Sequence, residues 1–150
     1  FHLVGGYGAA SFQPETTPGV VYSRHCKDVL PAYREATLVV VPLRSGGGTR
    51  VKIVEAFALG RPVVSTSIGA EGLEAETGRQ LFVADEPGPF AEACAALLDN
   101  PGRAASLVRE AATFVRARHS PDAVTRAIRA SMLVKNHAAA LPCAGGPRCP

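Results

Sequence analysis

The sequence predicts an α/β domain in which a parallel sheet carries helices on both faces. Short β-branched runs, LVVV at 38–41 and VVST at 63–66, alternate with stretches whose apolar residues recur at helical spacing. Each pair of runs is separated by enough chain for a crossover, which parallel neighbours require and which is almost always right-handed. A chain of 150 residues, 47% of them hydrophobic and 19% charged, is long enough to close one core.

The elements follow in order. Phe1 to Val4 is apolar and stops at Gly5 and Gly6, as a buried strand stops at a turn. A breaker-rich loop from Gln13 to Pro18 leads into a second strand, Gly19 to Tyr22. Lys27 to Ala36 reads as a short helix with Leu30 and Tyr33 or Arg34 on one side, and Leu38 to Val41 as a strand that Pro42 ends. The next helix starts at Thr49 or a neighbouring glycine and is closed by Gly60 and Pro62. Val63 to Thr66 is a strand, Ser67 to Gly72 a glycine-rich loop and Leu81 to Val83 a last strand. Pro87 to Leu98 is a helix with Phe90, Ala91, Cys94 and Leu97 or Leu98 inward, and Arg103 to Arg118 is another. Ser120, Pro121 and Asp122 form a helix start, with proline in the first turn and an acid at the positive end, for a helix reaching about Val134. Residues 1–135 therefore form one lobe, and the Ala/Pro/Gly composition of residues 136–150 reads as a flexible tail.

The formal net charge is +3, and the 16 Lys and Arg are scattered, so nucleic-acid binding has little support while weak attraction to an acidic membrane surface stays open. No run of about 18 apolar residues could span a bilayer, and no signal peptide opens the chain. Cys26, Cys94, Cys143 and Cys149 show no metal-binding spacing, so Cys26 and Cys94 read as reduced thiols of a cytoplasmic protein. The abrupt apolar start at Phe1 reads as a fragment of a longer protein.

Ligands of such sheets bind beyond the carboxyl ends of the strands. Gly5 to Gly8, Leu43 to Arg50 and Ser67 to Gly72 are expected to converge there. Gly46, Gly47 and Gly48 lack Cβ atoms, so their amides can approach a ligand closely, and a diphosphate suits such a loop at a helix N-terminus. Arg50 or Lys52 would add charge-assisted bonds of about 1.5 to 3 kcal/mol each. Glu55, on the same face as Lys52, can grip two vicinal ribose hydroxyls. Plainer readings exist: a flexible triple-glycine loop, a surface ion pair of Lys52 with Glu55, simple turn roles for Gly5 and Gly6, and an incidental His25 beside Cys26.

The segment PLRSGGGTRVKIVEAFALGRPVVSTSIGAEGL resembles the donor-binding signature of the large retaining glycosyltransferase family with the GT-B fold, glycosyl transferases group 1 or family 4-like. The resemblance runs from Phe1 to about Val134. It implies a Rossmann-like C-terminal lobe that binds a nucleoside diphosphate sugar, truncated at its N-terminal side. By position, Glu55 takes the ribose-binding role of the second glutamate of the family's paired-glutamate motif. Ser45 to Thr49 would face sugar and phosphate, Val51 and Lys52 would follow toward the diphosphate, and Ser23 to Lys27 would pass the base. The position of the first family glutamate is Gly47, so a carboxylate at the donor sugar is not assigned. The family's basic Arg and Lys pair, and the acceptor lobe with its histidine, would lie upstream of Phe1. The resemblance implies sugar transfer to an acceptor hydroxyl with retention, with Arg50 and Lys52 stabilising the leaving group. No Asp-x-Asp is present, so neither metal nor cofactor is expected. The expected partners are the donor, the acceptor lobe and a membrane-peripheral or lipid-linked acceptor, at the inner face of the membrane. Alternatives are a degenerate nucleotide-sugar-binding module, a GT-B epimerase and a nicotinamide dehydrogenase, the last weakened because GYGAAS lacks the third glycine.

Overall fold

A computed structural model describes residues 1–4, 18–23, 26–48 and 50–138. The expected order of strands and helices is present: β1 (His2–Val4), β2 (Val21–Ser23), α1 (Leu30–Glu35), β3 (Val39–Val41), α2 (Val51–Ala58), β4 (Val63–Ser65), α3 (Ser67–Ala70), β5 (Phe82–Val83), α4 (Pro87–Asp99), α5 (Pro101–His119) and α6 (Pro121–Ala138).

All strand pairs are parallel, as the crossovers require. Among the described residues they form two ladders where one sheet was expected: β1 with β2, and β3-β4-β5. Each strand of the first ladder has three residues, and Val21 on it is 61% exposed.

In the three-stranded sheet, period-two alternation sends successive side chains to opposite faces. Val39 pairs with Val63, and Val64 with Phe82. Val41, Val63 and Leu81 lie in one cluster with Ile53, Ala56 and Phe57 of α2 and Ala111 of α5. Val64 turns the other way, to Leu97 of α4 and Leu107 of α5, with Phe82 and Phe90 beside them. Both faces are covered, and each fully buried side chain of the size of Ile53 or Phe57 stabilises by about 1.5–3 kcal/mol.

The sequence states why the helices begin and end where they do. Ile53, Ala56 and Phe57 recur at i, i+3 and i+4, which gives α2 one apolar stripe. It stops at Gly60, whose φ of 69° is left-handed; Gly60 N donates to Phe57 O and Arg61 N to Ala56 O, closing a Schellman motif. Asn100 caps α5 through Arg103 N at 3.0 Å, and Ser120 caps α6 through Ala123 N at 3.2 Å. Phe57 meets Phe114 edge-on, centroids 6.3 Å apart, and joins α2 to α5.

Some details differ from expectation. The segment read as a glycine-rich loop opens with the short helix α3, because Thr66 Oγ1 accepts from Gly69 N at 3.0 Å. On α4 the buried leucine is Leu97, as one of the two expected alternatives, but Ala91, expected inward, is exposed because it falls off the stripe of Phe90, Cys94 and Leu97, and α6 runs past Val134 to Ala138. Gly5, Gly6, Thr49, His25, most of the loop from Gln13 to Pro18 and residues 139–150 lie outside the described residues. Among the described residues no helix is long and apolar enough to cross a membrane.

Candidate functional site

The loop after β3 is fastened on both sides and open in the middle. On one side the Thr66 hydroxyl donates to Leu43 O, and the Ser65 hydroxyl shares its one hydrogen between Thr66 O at 3.0 Å and Val41 O at 3.3 Å. On the other, Arg50 Nε donates to Glu71 O at 3.2 Å and Nη2 to Glu71 Oε2 at 2.8 Å. Between these anchors lie Gly46 and Gly48 with φ of 134° and 90°, conformations L side chains rarely adopt. A Cβ built on Gly46, Gly47 or Gly48 would meet nothing within 4 Å, so space stands over the whole turn.

Helix α2 starts directly behind this turn. Arg50 occupies its N-cap position, and its side chain caps no amide. First-turn amides without side-chain caps turn to solvent or to a ligand, and the helix dipole favours an anion there.

The expected cations separate. Lys52 is exposed, whereas the Arg50 side chain is only 6% exposed and is joined to Glu71. Arg50 therefore ties the loop to the segment after β4, with its charge paired to Glu71. Val51, between them, is half exposed.

Glu55 stands partly buried one turn into α2. Its Oε2 accepts from the Tyr33 hydroxyl at 3.1 Å, and that hydroxyl also lies 3.2 Å from Lys52 O. Burial, then the hydrogen bond and charge of Glu55, push the Tyr33 phenol up to about 12, so it stays protonated as a donor. Among the described residues Lys52 and Glu55 form no ion pair. Glu55 is thus a fixed carboxylate beside an open turn, able to accept hydroxyl hydrogens on its other oxygen.

A shallow depression beside the loop is lined by Pro42, Arg44, Thr66, Asp85, Pro87 and Phe90, at the carboxyl ends of β3 and β4. Asp85 there accepts from Ser67 N at 2.8 Å and Ser67 Oγ at 2.9 Å. Glu55 and the glycines of the turn are not among the residues that line it. The described part of the expected convergence is therefore the pairing of the loop after β3 with the segment after β4. Among the described residues no three of His, Cys, Asp and Glu are grouped to hold a metal ion.

Tyr33 and Thr66 had no assigned place in the site from sequence, and Glu71 had one only as part of the segment Ser67 to Gly72. Each acts across 21 to 23 residues of chain, a separation that local periodicity does not register.

Residues 1–100 match the family described as glycosyl transferases group 1. Over 77 residues the chain is 40% identical to D-inositol 3-phosphate glycosyltransferase 1 of Catenulispora acidiphila, an alignment covering 50% of this chain and 18% of that protein. The fold is similar to the C-terminal domain of a glycosyl transferase group 1 family protein from Francisella tularensis, with TM-score 0.62 and 15% identity over 68% of this chain and 54% of that one. It is also similar to sucrose-phosphate synthase from Thermosynechococcus elongatus, with TM-score 0.64 and 21% identity over 81% of this chain and 31% of that one. The chain thus spans about a fifth of that curated relative, and 54% and 31% of these two structures.

Proposed function

Because the chain belongs to the glycosyl transferases group 1 family, we propose that it supplies the donor-binding part of an enzyme that moves a sugar from a nucleoside diphosphate sugar to an acceptor hydroxyl, with retention at the anomeric carbon. The observation that carries this reading is the open turn at Gly46 to Gly48 directly before a helix whose first turn holds an exposed Lys52 and whose second begins at Glu55.

The diphosphate lies over the turn, where amides donate to its oxygens and the α2 dipole and Lys52 offset its charge. Val51 and Thr49 flank that contact along the chain. Glu55, held by Tyr33, takes the ribose hydroxyls. As the bond to the sugar breaks, negative charge grows on the leaving diphosphate; donors already aimed at it lower the barrier most, and no metal is required for that role. The acceptor is bound by a separate lobe, and the net charge of +3 suits a lipid-linked acceptor at the cytoplasmic face of a membrane.

Calorimetric titration with UDP and GDP tests the site. One of them is expected to bind, and Glu55→Ala to weaken it at least tenfold with little change in melting temperature. A wild-type chain that binds neither, or a Glu55→Ala chain that binds as well as wild type, removes the reading.

A further inference from the structure

The three-glycine turn offers amide hydrogens and no carboxylate, so a sugar attached to a diphosphate there would find little on the turn itself to accept its hydroxyl hydrogens. The loop's other anchor supplies what the turn lacks. Glu71, at the C-terminal end of α3, has a side chain 71% exposed, while the Arg50 that grips it is 6% exposed. Arg50 makes two bonds to this one residue, Nε to the main-chain oxygen at 3.2 Å and Nη2 to Oε2 at 2.8 Å.

Burying a guanidinium is costly, and main-chain oxygens alone could satisfy its donors. Here it fixes the backbone and the carboxylate of Glu71 together, so an exposed side chain that would otherwise rotate freely is held in one orientation. Oε1 of Glu71 has no partner among the described residues. The charge of Arg50 also offsets that of Glu71, so the pair does not repel an anion on the adjoining turn.

Resting on the donor-site reading above, we propose that Glu71 accepts hydroxyl hydrogens from the transferred sugar and that Arg50 is its positioning residue. Glu71 then contributes to recognition of the sugar and leaves nucleotide affinity to the turn, Lys52 and Glu55.

Titration of the 150-residue chain with UDP, GDP, UDP-glucose and GDP-mannose tests this. In Glu71→Gln, whose amide oxygen can still accept from Arg50 Nη2, the affinity for the nucleotide sugar that wild type prefers is expected to fall tenfold or more, and at least fivefold further than the affinity for the matching nucleoside diphosphate. A merely structural Glu71 would weaken both ligands together. Equal losses, no loss, or a wild-type chain that binds nucleoside diphosphates and neither sugar overturns the assignment. A wild-type chain that binds none of the four overturns the donor site itself, and Glu71 with it. Should Glu71→Gln unfold, Glu71→Asp, which keeps the charge but withdraws it by one methylene, is read by the same split.

Discussion

The Tyr33 hydroxyl donates to Glu55 Oε2 at 3.1 Å and so bonds α1 to the middle of α2. A carboxylate on an isolated helix surface samples several rotamers; this one is held by a phenol that burial keeps protonated. The bond leaves Glu55 oriented, with its second oxygen able to accept from neighbouring hydroxyls.

Tyr33→Phe keeps the ring and removes the bond, and the difference appears at alkaline pH. The folded phenol is raised from 10.0 to about 12, so above pH 10 the unfolded chain loses a proton that the native chain keeps. Tyr33's contribution is complete below pH 10 and is lost as pH rises through 12. The wild-type melting temperature should therefore fall more steeply over that window than that of Tyr33→Phe. Subtracting the two phenolate absorbance titrations should leave one ionisation near pH 12, and a difference midpoint at 10 would show that the phenol is not held.

Lys52→Ala should separate phosphate recognition from base and ribose recognition. Its ammonium is exposed at the first turn of α2, so its removal costs little stability. One charge-assisted bond of about 1.5–3 kcal/mol corresponds to a loss of roughly tenfold or more in nucleoside diphosphate affinity at low salt. Affinity for the matching nucleoside should be unchanged. If added salt weakened diphosphate binding equally in both chains, Lys52 would not be the cation concerned.

The architecture was legible because its signals are local. Val63 and Val64 fall on opposite faces as period-two alternation demands, and Ile53, Ala56 and Phe57 repeat at helical spacing. The turn and Glu55 were legible for the same reason, being read from one continuous segment. The partition of the cations was not. Arg50 and Lys52 are two positions apart, and only the placement of Glu71, 21 residues away, turns the first inward while the second stays in solvent. The split into two ladders was equally hidden, since three-residue strands carry too few side chains to declare their neighbours.

Alanine at the three glycines of the turn should act in two different ways. Gly46 and Gly48 have left-handed φ of 134° and 90°, so Gly46→Ala and Gly48→Ala each incur about 1–3 kcal/mol of backbone strain. Gly47 has no such φ and open space over its α-carbon, so Gly47→Ala should leave chemical denaturation unchanged or stabilise slightly. Its methyl group would stand where the diphosphate approaches, and affinity for UDP or GDP should drop. Undiminished binding by a stable Gly47→Ala chain would move the anion off the turn.

Gly69→Ala tests whether the segment after β4 sets the loop after β3. A Cβ on Gly69 would lie 2.3 Å from Ser65 Oγ, 2.8 Å from Val41 O and 3.1 Å from Thr66 Oγ1. Ser65 and Thr66 are the residues whose hydroxyls hold Val41 and Leu43, and Gly69 N is the donor that Thr66 caps. The methyl group must therefore displace α3 from the strand ends, at about 1–3 kcal/mol for overpacking, with up to about 1 kcal/mol more for a weakened cap. Because the same hydroxyls anchor the loop, nucleoside diphosphate affinity should fall with the melting temperature, although Gly69 itself touches no ligand. Loss of stability at full affinity would mean that the glycine turn keeps its shape without Thr66, and that Arg50 with Glu71 suffices to hold it.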